Sequence, residues 1–299
     1  MTDAAGDLPD LDMDLFYDVV FAMGFDRPEP GFSRQQPSAR GGHIPIALDA
    51  PFGERGPMLF RFGDMLSLLF NWSTVQSGMR VSDPDHLLFD YTRMMMAFRL
   101  FRPDPCRIEM IGFGGGSLAK ACYRALPDCD ISVVEIDPQV IALRERFRIP
   151  DDDHRFRVIH ADGVEFVSKD PGRPDVLLVD GFDSRGLPKS LSTAQFYSAC
   201  RARLSPDGLL VANLCNNFLS YSRLLRRIRA AFNGQALSVV AENGGNRIVF
   251  ASADPTFPPT SSPFQSLPDR LLADRTIDYG AKQRRIGPAL RRWHVKAGV

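Results

Sequence analysis

Between Ile108 and Asp137 an apolar run, a glycine cluster, a helical pattern and a second apolar run ending in an acid follow in order. Few folds accept that succession. Residues 108–117 read IEMIGFGGGS, and residues 131–137 read ISVVEID. The first run delivers the chain to Gly112, Gly114, Gly115 and Gly116, where missing Cβ atoms permit a tight turn and the close approach of a ligand. Leu118 to Leu126 predicts a helix that packs back on the sheet, and Ile131 to Val134 a strand with Glu135 at its carboxyl end. In a nucleotide-binding α/β unit, an acid about 20 residues beyond the glycines accepts both ribose hydroxyls. The combination predicts a nucleoside site; the glycines by themselves would not.

A chain of 299 residues has room for a substantial core. Lys plus Arg equals Asp plus Glu at 36 each, so there is no broad attraction to nucleic acid or membrane. The ends are uneven: Asp3, Asp7, Asp10, Asp12, Asp14 and Asp18 open the chain, while Lys282, Arg284, Arg285, Arg291, Arg292 and Lys296 crowd its close. Both ends read as solvated tails. Cys106, Cys122, Cys129, Cys200 and Cys215 form no CxxC pair, which argues against a disulfide framework and a zinc site. Cys106 and Cys122 are expected to fill apolar space. The acidic opening lacks the features of a signal peptide, and no apolar run approaches a membrane span, so the expected location is the cytoplasm.

Residues 1–57 read as an N-terminal arm, with a short helix from Leu11 to Met23 and an irregular Pro/Gly-rich passage from Pro28 to Gly42. Met58 to Val81 predicts short antiparallel strands interrupted at Gly63-Asp64 and Ser77-Gly78. Leu87 to Leu100 predicts a helix, so residues 58–98 form a small β-rich region with a connecting helix. Residues 99–254 alternate strands and helices. Val140–Phe147, Ala194–Leu204 and Tyr221–Phe232 are expected helices. Phe156–Ile159, Asp175–Val179 and Leu209–Leu214 are expected strands, and Ala236–Ala241 with Arg247–Ala253 an expected hairpin. The fold class is α/β: a mostly parallel sheet made mixed by the closing hairpin, preceded by the small β-rich domain. Residues 255–299 form an extension that Pro255, Pro258, Pro259, Pro263 and Pro268 are expected to keep irregular.

Open parallel sheets bind ligands beyond the carboxyl ends of their strands, which brings Glu135, Asp162, Asp180 and Asp183 to one rim. Asp162 suits an adenine amino group, with Gly163 allowing close approach; capping a helix is its structural alternative. Asp180 follows the apolar run Val176–Val179 and reaches a partly dry rim, with Asp183 in the adjoining turn. Two such carboxylates suit the binding of an ammonium group and the acceptance of its proton. Metal binding is the rival, but no His/Cys cluster or regular acidic loop accompanies them, so no metal is expected.

With these motifs in place, the sequence resembles the spermidine/spermine synthase family of polyamine aminopropyltransferases over residues 58–253. The resemblance implies a class I methyltransferase-like Rossmann fold behind a small β-domain, a homodimer or other homo-oligomer, and no prosthetic group. It implies decarboxylated S-adenosylmethionine as donor and a small amine as acceptor. TVQSGM looks like the family's glutamine-containing strand and makes Gln76 a donor contact. LLFDYTRM makes Tyr91 an acceptor contact. Gly112–Ser117 matches the glycine turn, Glu135 the ribose acid, and Asp162-Gly163 the adenine contact. The stretch Asp180-Gly181-Phe182-Asp183 matches the catalytic loop, making Asp180 the proton acceptor and Asp183 an acceptor contact.

The chain departs from the family pattern at several places. Gly115 stands where the family often has an acid for the donor's amine, and Thr92 and Arg93 replace acidic or amide residues. Ser184 replaces a proline, and Asn213-Leu214-Cys215 replaces Gln-Gly-Glu. Arg93, if turned into the pocket, would repel a polyammonium acceptor. The expected activity is spermidine synthase-like aminopropyl transfer. An S-adenosylmethionine-dependent methyltransferase and a noncatalytic nucleotide-binding interaction protein are the alternatives. An NAD-dependent oxidoreductase is weaker still, because no hydride-transfer constellation follows the ribose acid.

Overall fold

A computed structural model of the chain describes residues 56–71, 74–169, 172–215, 218–242, 244–258, 267–274 and 276–297. The expected helix at Leu11–Met23 and the irregular passage at Pro28–Gly42 lie outside the described residues. Three strands come first: β1 (Met58–Phe62), β2 (Met65–Asn71) and β3 (Thr74–Arg80), an antiparallel sheet in that order. Gly63-Asp64 makes the expected turn, and Asp64 accepts the amide of Ser82 at 2.8 Å, tying the end of the sheet back to its first hairpin. Ser77-Gly78 is not an interruption. Both residues pair within β3, and the side chains of Leu88 and Phe89 lie over Gly78, so the glycine marks a close packing partner rather than a break.

The expected helix from Leu87 to Leu100 is shorter. Only α1 (Asp90–Met95) is α-helical, followed by a 3₁₀ turn at Met96–Leu100. Leu88 and Phe89 are instead buried against Phe60, Met65 and Leu69 of the small sheet. Phe89 keeps an extended backbone (φ −90°, ψ 135°) to reach them. Burial of two large side chains outweighs the helical spacing of the segment.

The second sheet has seven strands: β4 (Arg107–Ile111), β5 (Asp130–Glu135), β6 (Phe156–His160), β7 (Val176–Val179), β8 (Leu209–Cys215), β9 (Ala236–Val240) and β10 (Asn246–Ser252). Their order is β6-β5-β4-β7-β8-β10-β9. The first five are parallel, and β10 runs antiparallel to both β8 and β9, giving the expected mixed sheet. Helices α2 (Ser117–Ala125), α3 (Pro138–Ala142), α4 (Gly163–Ser168), α5 (Ala194–Arg203) and α6 (Phe218–Ala231) connect them. On one face Ile108, Met110, Ile131 and Val133 join Leu59, Leu68 and Met79 of the small sheet in one core. On the other face Ile111, Val134, Leu177 and Val179 pack against α5 and α6. Glu109 also points to that second face. It is fully buried and pairs with Arg203 of α5, whose Nη2 donates to it at 3.1 Å.

Helix α3 is displaced from the expected Val140–Phe147: it begins at Pro138 and stops at Ala142. The chain then turns, with Arg148 at φ 54°, and buries Phe147 behind the glycine turn. The C-terminal extension corrects a further expectation. It forms α7 (Asp269–Ala273) and α8 (Tyr279–Ala297), with Pro288 inside the latter. Ile286, Ala289 and Leu290, at helical spacing, are buried, and α8 packs on β9 and the 3₁₀ turn. Nor is its basic face a solvated tail. Lys282 pairs with Glu242, and Arg285 donates to the carbonyls of Val240 at 2.8 Å and Ala241 at 2.9 Å.

Cys122 is buried as expected, but Cys106 is exposed, because it precedes β4 at the sheet's surface end. Among the described residues no helix is long and apolar enough to cross a membrane.

Candidate active site

The strand order reverses about β4, which has β5 on one side and β7 on the other. Loops leaving β4 and β7 therefore diverge and open a crevice at their carboxyl ends. A cavity of about 740 Å³ lies there, closed on one side by residues of the small sheet. Gly112 is its hinge. It has φ +96°, and a Cβ would stand 2.3 Å from the carbonyl oxygen of Asp180, so the two diverging loops touch through a backbone no side chain could occupy.

At one end of the cavity Glu135 closes β5. Its Oε2 accepts the amide of Phe113 at 3.0 Å and its Oε1 that of Asp137 at 2.9 Å. Two backbone donors thus fix the carboxylate beside the glycine turn, with further lone pairs available for hydroxyl donors. Asp162 and Gly163 line the same end. Asp162 also realises the capping role: its Oδ1 accepts the amides of Val164 at 2.6 Å and Glu165 at 3.2 Å, starting α4. Ile136, 62% exposed, adds an apolar surface at the mouth that the sequence reading did not single out.

The four glycines separate into two pairs. Gly112 and Gly114 line the cavity, whereas Gly115 and Gly116 are buried and do not. A Cβ on Gly115 would lie 2.6 Å from Ser77 Oγ and 2.9 Å from the Phe147 ring. Gly116 packs on Ile149. These two glycines hold the turn against its supporting layer rather than lining the cavity. Gly115 leaves no room for a side chain, so the turn offers no carboxylate to the cavity.

At the other end Asp180 leaves β7, half-buried. Its Oδ1 accepts from Asn213 Nδ2 at 2.8 Å, and Asn213 Oδ1 accepts from Asn246 Nδ2 at 2.9 Å. The Tyr91 hydroxyl also donates to Asp180. Burial pushes the Asp180 carboxyl up to about 6, and the two hydrogen bonds from Asn213 and Tyr91 oppose that rise. Burial, with the Asp180 charge beside it, holds the Tyr91 phenol well above its ordinary range, so it stays a neutral donor. Asp180 is ionised at neutral pH yet close enough to its titration range to take up a proton.

Asp183 lies in the adjoining turn, where its Oδ1 accepts the Arg185 amide at 2.7 Å. Gln76 Nε2 lies 3.4 Å from the Asp183 carbonyl oxygen, so these expected contacts from distant strands meet at one corner. Arg93 is not in the lining. It donates to the carbonyls of Leu87 and, at 3.0 Å, Leu88, and pairs with Asp90. Its charge is therefore spent holding the extended segment before α1.

Asn213 and Asn246 were not singled out as site residues. The available signal was Asn213 itself, a polar side chain within the apolar strand LLVANLC that is 2% exposed and so requires a partner. The partner lies on another strand, which spacing does not disclose.

Comparison with known proteins agrees with this architecture. The spermine/spermidine synthase domain profile matches residues 88–244. A polyamine aminopropyltransferase of Neisseria meningitidis serogroup B is 39% identical over 191 residues, covering 63% of this chain and 73% of that protein. A polyamine aminopropyltransferase of Chromobacterium violaceum is 37% identical over 190 residues, covering 63% of this chain and 73% of that one. In fold, a probable spermidine synthase from Corynebacterium glutamicum superposes with a TM-score of 0.62 at 19% identity, covering 83% of this chain and 95% of the other.

Proposed function

The chain belongs to the spermine/spermidine synthase family, and on that premise we propose that it transfers an aminopropyl group from decarboxylated S-adenosylmethionine to a small amine. The observation that carries this reading is Asp180, a carboxylate raised to about 6 by burial and held by Asn213 and Tyr91 at the end of the cavity away from Glu135. In the proposed complex Glu135 accepts the ribose hydroxyls, Asp162 and Gly163 border the adenine, and Gly112 and Gly114 let the nucleoside approach the turn. Ile136 offers an apolar face to the base. Gln76 contacts the donor beside Asp183.

The acceptor enters as an ammonium group at the Asp180 corner, positioned by Tyr91 and Asp183. Asp180 takes its proton, leaving a nitrogen lone pair that attacks the donor's propyl carbon attached to sulfur. The carbon–sulfur bond breaks with its electrons going to sulfur, and the sulfonium leaves as a neutral nucleoside thioether. No metal, redox cofactor or prosthetic group enters the balance. Alignment of nitrogen, carbon and sulfur by the two ends of one cavity supplies orientation, and Asp180 supplies the reactive amine.

A methyl transfer from intact S-adenosylmethionine is the competing reading, favoured by the glycine turn's lack of a carboxylate at Gly115. The test is incubation with each adenosyl donor and a mixed amine panel, followed by mass analysis. A product heavier by an aminopropyl unit is expected; one heavier by a methyl group would replace the proposal with its rival. The proposed assembly is a homodimer involving the small sheet, which light scattering at several concentrations would check.

A further inference from the structure

We infer that the chain carries a second binding site, for a small molecule with clustered negative charges, apart from the cavity that holds Glu135 and Asp180. Helix α6, the turn after it, β9, the segment Pro255–Pro258 and α8 surround an open cavity of about 900 Å³. That volume lies within the range of about 300–1,000 Å³ common for small-molecule sites. The two cavities share no lining residue. Strand β10 parts them: consecutive residues of a strand point to opposite faces, and Asn246 lines the first cavity while Arg247 lines the second.

Three guanidinium groups belong to this lining, each from a different element: Arg229 of α6, Arg247 of β10 and Arg292 of α8. Among the described residues no aspartate or glutamate lines it. Asp254, the acid adjoining it, accepts the amide of Thr256 at 2.8 Å and its hydroxyl at 2.7 Å. The start of α8 behaves differently. There Lys282 pairs with Glu242, Arg284 with Asp278, and Arg285 with two backbone carbonyls, so those cations serve the fold. Arg229 and Arg292 make no ion pair or side-chain hydrogen bond among the described residues.

Like charges gathered around one cavity repel, and an anion bound between them relieves that repulsion while accepting their N–H donors. Arg247 is held over the Tyr221 ring, its Cζ 4.5 Å from the centroid, which restricts its movement in the cavity. Ser238 Oγ accepts the Tyr221 hydroxyl at 2.7 Å and keeps its own proton to donate. The planar guanidinium fork matches phosphate and carboxylate oxygens alike. The shared chemistry is therefore a compact polyanion, phosphorylated or polycarboxylic, and the inference does not depend on the transfer proposed above.

The test is calorimetric titration of the full chain with inorganic tripolyphosphate and, separately, with citrate, at about 0.15 M salt, where diffuse surface attraction is screened. Saturable binding of at least one is expected, and which one binds separates the two sources of charge. Arg229→Gln and Arg292→Gln alter exposed side chains, and each should weaken that binding by roughly tenfold. Two controls should bind as the native chain does: Arg223→Gln, exposed on α6 outside the cavity, and Arg185→Gln, in the lining of the first cavity. No binding of either anion, or binding that survives both cavity variants, would overturn the inference. So would a comparable loss from Arg223→Gln, which would mean diffuse attraction to a basic surface of the kind a nucleic acid feels. A loss from Arg185→Gln would place the anion in the first cavity and overturn it equally.

Discussion

Glu135 ends one parallel strand and Asp180 follows another of the same sheet, yet the first is held by backbone amides and the second by side chains. The Glu135 geometry follows from the path of the chain through the glycine turn and the start of α3, so any sequence that folds this way positions it. The Asp180 geometry depends on Asn213, Asn246 and Tyr91, three side chains from β8, β10 and α1. A substitution at any of them is expected to retune the carboxylate. In the proposed reading, the nucleoside end is thus fixed by topology, and the acceptor end is where chemistry and specificity can change.

The largest effect expected from this contrast is kinetic. Asp180→Asn keeps size and hydrogen-bonding capacity but removes the anionic proton acceptor. Its turnover at saturating substrates should fall by about 10²–10⁴-fold, with nucleoside affinity nearly unchanged. Comparable losses of both would break the division between the two ends. Glu135→Ala should do the converse, weakening donor binding by about 2–4 kcal/mol in calorimetry if both ribose hydroxyls are bound. A folded variant with native affinity would remove Glu135 from the site.

Gly115→Ala should destabilise the protein by about 1–3 kcal/mol in urea unfolding, the usual cost of overpacking. It puts a methyl group 2.6 Å from Ser77 Oγ and 2.9 Å from the Phe147 ring. Native stability would mean that the supporting layer yields easily. The smallest change is expected from Asn213→Leu, which removes a donor that lowers the Asp180 carboxyl. The proton affinity of Asp180 should rise and the rate at neutral pH should fall by roughly tenfold, with recovery at higher pH. An unshifted pH profile would reduce Asn213 to a structural role.

The same contrast explains what could be read in the sequence. Gly112, Glu135, Asp162 and Asp180 stand immediately after or near the ends of apolar runs, so a parallel sheet brings them to one rim whatever the details of packing. Gly115 could not be separated from Gly112 by sequence, because the difference lies in Phe147, which the early end of α3 and the turn at Arg148 send behind the glycines. The link from Asn246 through Asn213 to Asp180 crosses three strands and leaves no local pattern. The orientation of Arg93 was likewise hidden, since it depends on the carbonyls of an extended segment that reads as helix. Helix α8 follows the five prolines from Pro255 to Pro268 that made the whole extension read as irregular, and its stability comes from buried Ile286, Ala289 and Leu290 rather than from propensity.

The most direct test of Asp180 as proton acceptor is the single-turnover rate of aminopropyl transfer from about pH 5 to about pH 8, for the native chain and for Asp180→Asn. The carboxylate must be ionised to accept a proton, and its value is raised to about 6, so the native rate should climb with pH and bend near that value. The bend should vanish in the variant along with most of the rate. A native profile with no inflection there, or an unchanged inflection in the variant, would contradict the account.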